Sequence, residues 1–134
     1  MKNFLYLLIL IAAVTSCSKG DRSLASHVKL IEDESNRRII YCADETKPCT
    51  EGLVLIQNID DYRSNDKWII VKSMKDKNEG YWIINKDFSL GDKDCAKSDC
   101  GDYIKTFVAG PLSFEDFNGA REEWDITLEF PVTK

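Results

Sequence analysis

Apolar residues in this chain come in short runs rich in Ile, Val, Tyr and Trp, each closed by a cluster of Asp, Asn, Lys or Gly. That is the pattern of strands separated by turns. It predicts strands over residues 28–31, 38–42, 53–59, 67–74, 80–85 and 103–109. The polar run Lys75-Asp76-Lys77-Asn78-Glu79 joins two of them into an expected hairpin. Both strands of that hairpin carry apolar side chains at successive positions, Trp68-Ile69-Ile70-Val71 and Tyr81-Trp82-Ile83-Ile84. Successive side chains on a strand point to opposite faces, so these strands are apolar on both sides and need a cover on each.

One cover is predicted near the C-terminus. Ser113 followed three positions later by Asp116 forms a capping box, Leu112 and Phe117 are spaced as a hydrophobic staple, and Glu115 suits the positive start of a helix. A helix is therefore expected within residues 112–124, burying Phe114, Phe117 and Trp124 and leaving Arg121, Glu122 and Glu123 wholly or partly in water. Gly119 weakens its middle, so the helix is expected to bend or stop at Asn118-Gly119. Residues 126–130 alternate apolar with polar and predict a last strand, stopped by Pro131. The fold class is α+β: a mainly antiparallel sheet with one C-terminal helix packed on a face, fastened by two local disulfides.

The N-terminus follows a different pattern. Lys2 precedes an apolar run from Phe4 to Val14, and Thr15-Ser16-Cys17 closes it. A positive residue, a short apolar segment and small residues make a secretory signal, and the run is too short to span a bilayer comfortably. The sequence Val14-Thr15-Ser16-Cys17 resembles the lipobox of bacterial lipoproteins, which implies a signal peptide over residues 1–16, cleavage before Cys17, and acylation of that cysteine. Residues 17–26, without an aromatic side chain, read as the lipidated tether, and residues 27–134 as one domain. The resemblance implies three acyl chains, and Ser18 after the cysteine resembles the outer-membrane class of such proteins. The expected location is the envelope of a Gram-negative bacterium, lipid-anchored at the outer membrane.

Charge narrows the partners. The chain has 18 Lys and Arg against 23 Asp and Glu, and removing Lys2 with the signal leaves 17 against 23, a net of minus six. A nucleic-acid binder has the opposite sign. Anionic headgroups should repel such a surface, so attachment is expected from the acyl chains and not from a basic patch.

Four cysteines remain after Cys17: Cys42, Cys49, Cys95 and Cys100. An even number in an exported chain points to disulfides. Three connectivities are possible; the two local pairs, Cys42 with Cys49 and Cys95 with Cys100, are favoured because each encloses a short polar segment able to turn back on itself. Their six and four intervening residues do not follow zinc-knuckle spacing. The acidic run from Asp92 to Asp102 resembles a calcium loop at Asp92 and Asp94 but places Ala96 and Lys97 where a ligand and a turning glycine belong. No metal or other cofactor is expected.

His27, the single histidine, reads as a surface or edge-strand residue, and no nucleophile, metal or phosphate motif accompanies it. Most aromatic residues fall inside strand patterns and read as core; Tyr62, Phe88 and Tyr103 fall near strand ends or loops and are the expected partner-contacting residues.

The succession Asp66-Lys67-Trp68-Ile69-Ile70-Val71-Lys72, Gly80-Tyr81-Trp82-Ile83-Ile84-Asn85-Lys86 and Gly110-Pro111-Leu112-Ser113 with Phe117 resembles a group of small bacterial lipoproteins, catalogued as domain of unknown function 3997. The likeness covers about residues 53–125 and implies no activity and no catalytic residue. The expected function is a non-enzymatic binding protein of the envelope with a protein partner, in an inhibitory, immunity or exclusion role. The alternatives are a small hydrolase using carboxylates without a sequence signature and a structural accessory of an envelope complex.

Overall fold

The computed structural model describes residues 21–34, 36–42, 52–87 and 100–131. They form two four-stranded antiparallel sheets and two helices. The first sheet runs β1 (Asp21–Ala25), β2 (Val28–Glu32), β3 (Arg37–Tyr41) and β4 (Leu53–Ile56), each strand beside its sequence neighbour. The second runs β5 (Ile59–Ser64), β6 (Trp68–Lys75), β7 (Asn78–Asn85) and β8 (Val108–Leu112) in the same way. Helix α1 (Cys100–Lys105) precedes β8, and α2 (Phe114–Glu123) follows it.

The expected double-sided hairpin is the centre of the molecule. Ile69, Val71 and Ile84 face the first sheet, in a core with Val28, Leu30, Ile39, Tyr41 and Ile56; Cys100 and Ile104 of α1 join it at helical spacing. On the opposite face Ile70, Tyr81 and Ile83 meet Phe117 of α2 and Ile126, with Leu128 and Phe130 beside them. The second sheet is thus a middle layer between the first sheet and α2. Alternation along each strand sorts the side chains between the two interfaces. The hairpin turn is tighter than the polar run suggested: Lys75 pairs with Asn78, and Asp76 and Lys77 both have positive φ, 51° and 67°. Those angles are those of a type I′ turn, whose twist matches the flanking strands.

Six expectations are corrected. Residues 21–25, read as part of a tether, belong to the fold: Asp21–Ala25 is a strand paired to β2, and Leu24 is buried in the core. One apolar residue at the right parity was enough for a polar segment to add to the edge of a sheet. Residues 53–59 are two strands, because Asn58 takes φ 57° and diverts the chain from one sheet to the other. Asn tolerates that left-handed conformation where a β-branched residue does not; its N–H donates to Asn36 Oδ1 at 3.1 Å and its carbonyl accepts from Met74. The strand expected over 103–109 is instead the end of α1, a turn at Thr106-Phe107 and the start of β8. Residues 126–130 alternate in burial as expected but form no ladder; they lie along α2 and the sheet as extended chain. Helix α2 begins as read, with Ser113 Oγ accepting from Asp116 N at 3.1 Å, but it runs through Gly119. It stops at Trp124, where Asp125 adopts φ 54° and Ile126 and Asp125 donate back to Arg121 and Glu122. This is a Schellman closure with Asp in the usual glycine position. Of its expected buried stripe only Phe117 is buried; Phe114 is 62% and Trp124 41% exposed.

Gly110 has a defined duty in β8. Its φ is 141°, and an added Cβ would lie 2.7 Å from the Trp82 ring. Only glycine lets the edge strand pass this indole. Pro111 follows it on the same edge, where a missing N–H costs the sheet nothing.

Cys42 and Cys100 are each disulfide-bonded. They belong to separate buried groups, Cys42 with Ile40 on the outer face of the first sheet and Cys100 with Ile104 in the main core. Cys49 and Cys95 lie outside the described residues, as do Cys17 and Phe88.

Candidate functional site

Two concave features stand out, one aromatic and one basic. The aromatic cleft lies over the α2 side of the middle sheet and has a volume of about 540 Å³. Its walls are the parallel indoles of Trp68 and Trp124, 5.8 Å apart between centroids and inclined by 3°. Asn65 fixes the first of them: its Oδ1 accepts from the N–H groups of Lys67 and Trp68, at 3.0 and 2.7 Å, and starts β6 with the indole on the outer face. The Schellman closure fixes the second by ending α2 at Trp124. Lys67 Nζ lies 5.4 Å from the Trp68 ring, and Asn85, Asp87 and Thr106 supply polar groups around the opening. An apolar floor with a few convergent polar groups and a partly exposed Trp is the make-up of a recognition pocket.

The basic recess is wider, about 760 Å³, and lies where the edge strands β1 and β5 approach one another. Tyr62 stands at its centre. Arg22 of β1 donates to Tyr62 Oη at 2.8 Å, and the guanidinium of Arg37 lies over the same ring at 5.5 Å. Arg63 is held by Asp61 and by the Tyr62 carbonyl, and Lys86 donates to the carbonyl of Asn65 at 2.6 Å. Four cations and one carboxylate, Asp61, line the space. In a chain with excess acid this is a local reversal of sign.

A third polar group is structural in character. Tyr81 Oη donates to Glu79 at 2.9 Å, and Lys72 Nζ lies 3.3 Å from the same carboxylate and 3.7 Å from Asp60. The hydrogen bonds from Tyr81 and Lys72 hold Glu79 below its usual range, and the bond to Glu79 raises Lys72. Burial, aided by that carboxylate, raises Tyr81. All three are pushed away from neutral pH, opposite to the tuning that proton-transfer catalysis requires.

Of the residues singled out from the sequence, Tyr62 occupies the basic recess. Tyr103 is half-buried on α1 with its ring edge-on to Phe107 at 5.2 Å, against the core and not in an open site. His27 is a turn residue between β1 and β2 with φ 63°, its Nδ1 2.8 Å from the Cys42 carbonyl. Trp68, Trp124 and the four cations were not singled out. The two indoles read as core and the cations carried no signal of their own; only the pairing of distant strands joins them. No family model, curated protein or solved structure matches the chain.

Proposed function

We propose that this protein is a lipid-anchored, non-enzymatic binding protein of the bacterial cell envelope that receives a protein partner at the Trp68–Trp124 cleft. The single observation that carries the reading is that cleft: a stacked pair of indoles, one of them 41% exposed, in a hollow rimmed by Lys67, Asp87 and Thr106. Exposed Trp in a concave site with a charged rim is the composition of an interface hot spot. Among the described residues no helix is long and apolar enough to cross a membrane, and on this reading the anchor is the acylated Cys17, after a signal over residues 1–16, at the outer membrane. The kinship with the lipoprotein group named above is part of the same proposal, as is an inhibitory, immunity or exclusion role.

The cysteine framework completes it. Cys42 and Cys100 stand in separate buried groups, which speaks against a bond between them; of the two remaining connectivities the reading takes Cys42–Cys49 and Cys95–Cys100, because each encloses a short polar segment able to turn back on itself.

The test is site-specific photo-crosslinking in the native envelope. A photoreactive side chain at position 124 or 106 should give a discrete crosslinked protein, and one at position 76, on the hairpin tip, should not. Equal labelling at all three positions, or none at 124 and 106, overturns the cleft as the partner site. The companion variant Trp124→Ala should lower partner affinity by a factor of about 30 or more, as loss of a hot-spot Trp does, and leave the fold intact.

A further inference from the structure

We propose that the basic recess between β1 and β5 seats the phosphate group of an anionic membrane lipid, beside the protein's own anchor. The inference rests on the reading of Cys17 as the acylated residue, and its argument begins with distance. Cys17 stands four residues ahead of Asp21, where β1 begins. A stretch of that length reaches at most about 14 Å. The first residue to line the recess is Arg22. An anchor at Cys17 therefore brings these cations within one or two screening lengths of the headgroups, where their charge is felt.

The recess is built for an oxyanion. Each guanidinium is held through one of its nitrogens: Arg22 by Tyr62 Oη, Arg37 by the Asp60 carbonyl at 3.1 Å, Arg63 by Asp61 and the Tyr62 carbonyl. The planar fork of each is thereby fixed in direction while other N–H groups remain for a ligand. Arg37 Nε is buried and ion-paired at 4.0 Å with Glu32, which lies outside the recess lining, so Arg37 can offer the recess only its terminal nitrogens. Lys86 adds an ammonium that, among the described residues, bonds to the Asn65 carbonyl and not to an acid. Among the described residues the lining carries four positive groups and the carboxylate of Asp61, with Glu32 paired to Arg37 just outside it. A headgroup phosphate matches this chemistry, and the bilayer is the anion source that the short tether keeps next to it.

The consequence modifies the expectation drawn from net charge. An acidic domain is repelled by an anionic leaflet on average, but a domain with a basic recess next to its anchor is oriented by that field. The recess turns toward the lipid, and the acidic remainder turns away.

Two measurements test this. In the first, the mature protein in detergent is titrated with a short-chain, soluble phosphatidylglycerol, and with short-chain phosphatidylcholine as the neutral reference. Amide signals of Arg22, Tyr62 and Arg63 should shift with the anionic lipid, and the response should fall several-fold at high salt and in Arg22→Gln/Arg63→Gln. No shift, or equal shifts with both lipids, overturns the proposal whatever the state of Cys17. In the second, the protein is reconstituted into vesicles of phosphatidylcholine alone or with a third phosphatidylglycerol, and arginine modification by phenylglyoxal is followed by peptide mass. Arg22, Arg37 and Arg63 should react several-fold more slowly in the anionic vesicles, with Arg121 as the unprotected reference. Uniform reactivity in attached protein overturns the seating on the bilayer. Protein that binds the soluble anionic lipid but stays off both kinds of vesicle supports the recess and fails the anchor reading alone.

Discussion

Glu79 sits between two donors, the Tyr81 hydroxyl and the Lys72 ammonium, at the turn end of the central hairpin. Its pKa is lowered chiefly by the hydrogen bond from Tyr81 and then by that from Lys72. A carboxylate whose folded pKa is depressed stabilises the fold above its ordinary value, here 4.5, and that contribution disappears as pH falls through the lowered folded value. Lys72 and Tyr81 are raised, so their contribution is complete below their ordinary values of 10.5 and 10.0 and is lost at more alkaline pH. Thermal melts of the wild type and Glu79→Gln should therefore differ at neutral pH, with the variant lower, and converge as pH falls below 4.5 through the lowered folded value. A difference that persists unchanged in acid would show that the carboxylate's charge contributes nothing. None of this was legible beforehand, since Glu79 and Lys72 belong to separate strands and read as ordinary surface charge.

At the scale of elements, α2 joins a local signal to a tertiary contact. Ser113 caps it, while Phe117, 1% exposed, fills the space over Ile70 and Ile83 and stacks on Tyr81 at 5.0 Å. Phe117→Ala should cost about 3–5 kcal/mol, as aromatic truncations in cores do. Ser113→Ala should cost about 1 kcal/mol. Gly119→Ala should move the other way, stabilising by about 1 kcal/mol, because an added Cβ at this helical position meets nothing within 4 Å. Urea melts check the order; a neutral Phe117→Ala would remove α2 as the cover of the sheet. The start of α2 was legible because capping is a matter of three neighbouring residues. Its end was not, because Asp125 closes it in a left-handed conformation that glycine usually supplies. The strand expected over 103–109 failed for a related reason: Cys100 and Ile104 sit one helical turn apart, and burial against both sheets selects the helix over a short apolar run's strand propensity.

For the whole molecule the cysteines carry the next expectation. Acyl-label incorporation should be present in the wild type and absent from Cys17→Ala, and non-reducing peptide maps of the mature protein should show Cys42 linked to Cys49 and Cys95 to Cys100. Undiminished labelling of the variant refutes the anchor, and peptides joining one loop to the other refute the pairing. What the sequence by itself determined is whatever is encoded by near neighbours. The antiparallel strands β2, β3, β6 and β7, the hairpin between the last two, the need of that hairpin for two covers, and the cap of α2 all follow from periodicity and turn chemistry within a few residues. Only the tertiary structure decided that there are two sheets and not one, since that hinges on Asn58 turning the chain between them. It alone put Arg22, Arg37, Arg63 and Lys86 around Tyr62, and Trp124 beside Trp68. Those groups come from strands and a helix end far apart in the chain, and a side chain's neighbours across a fold are set by packing, which no local pattern records.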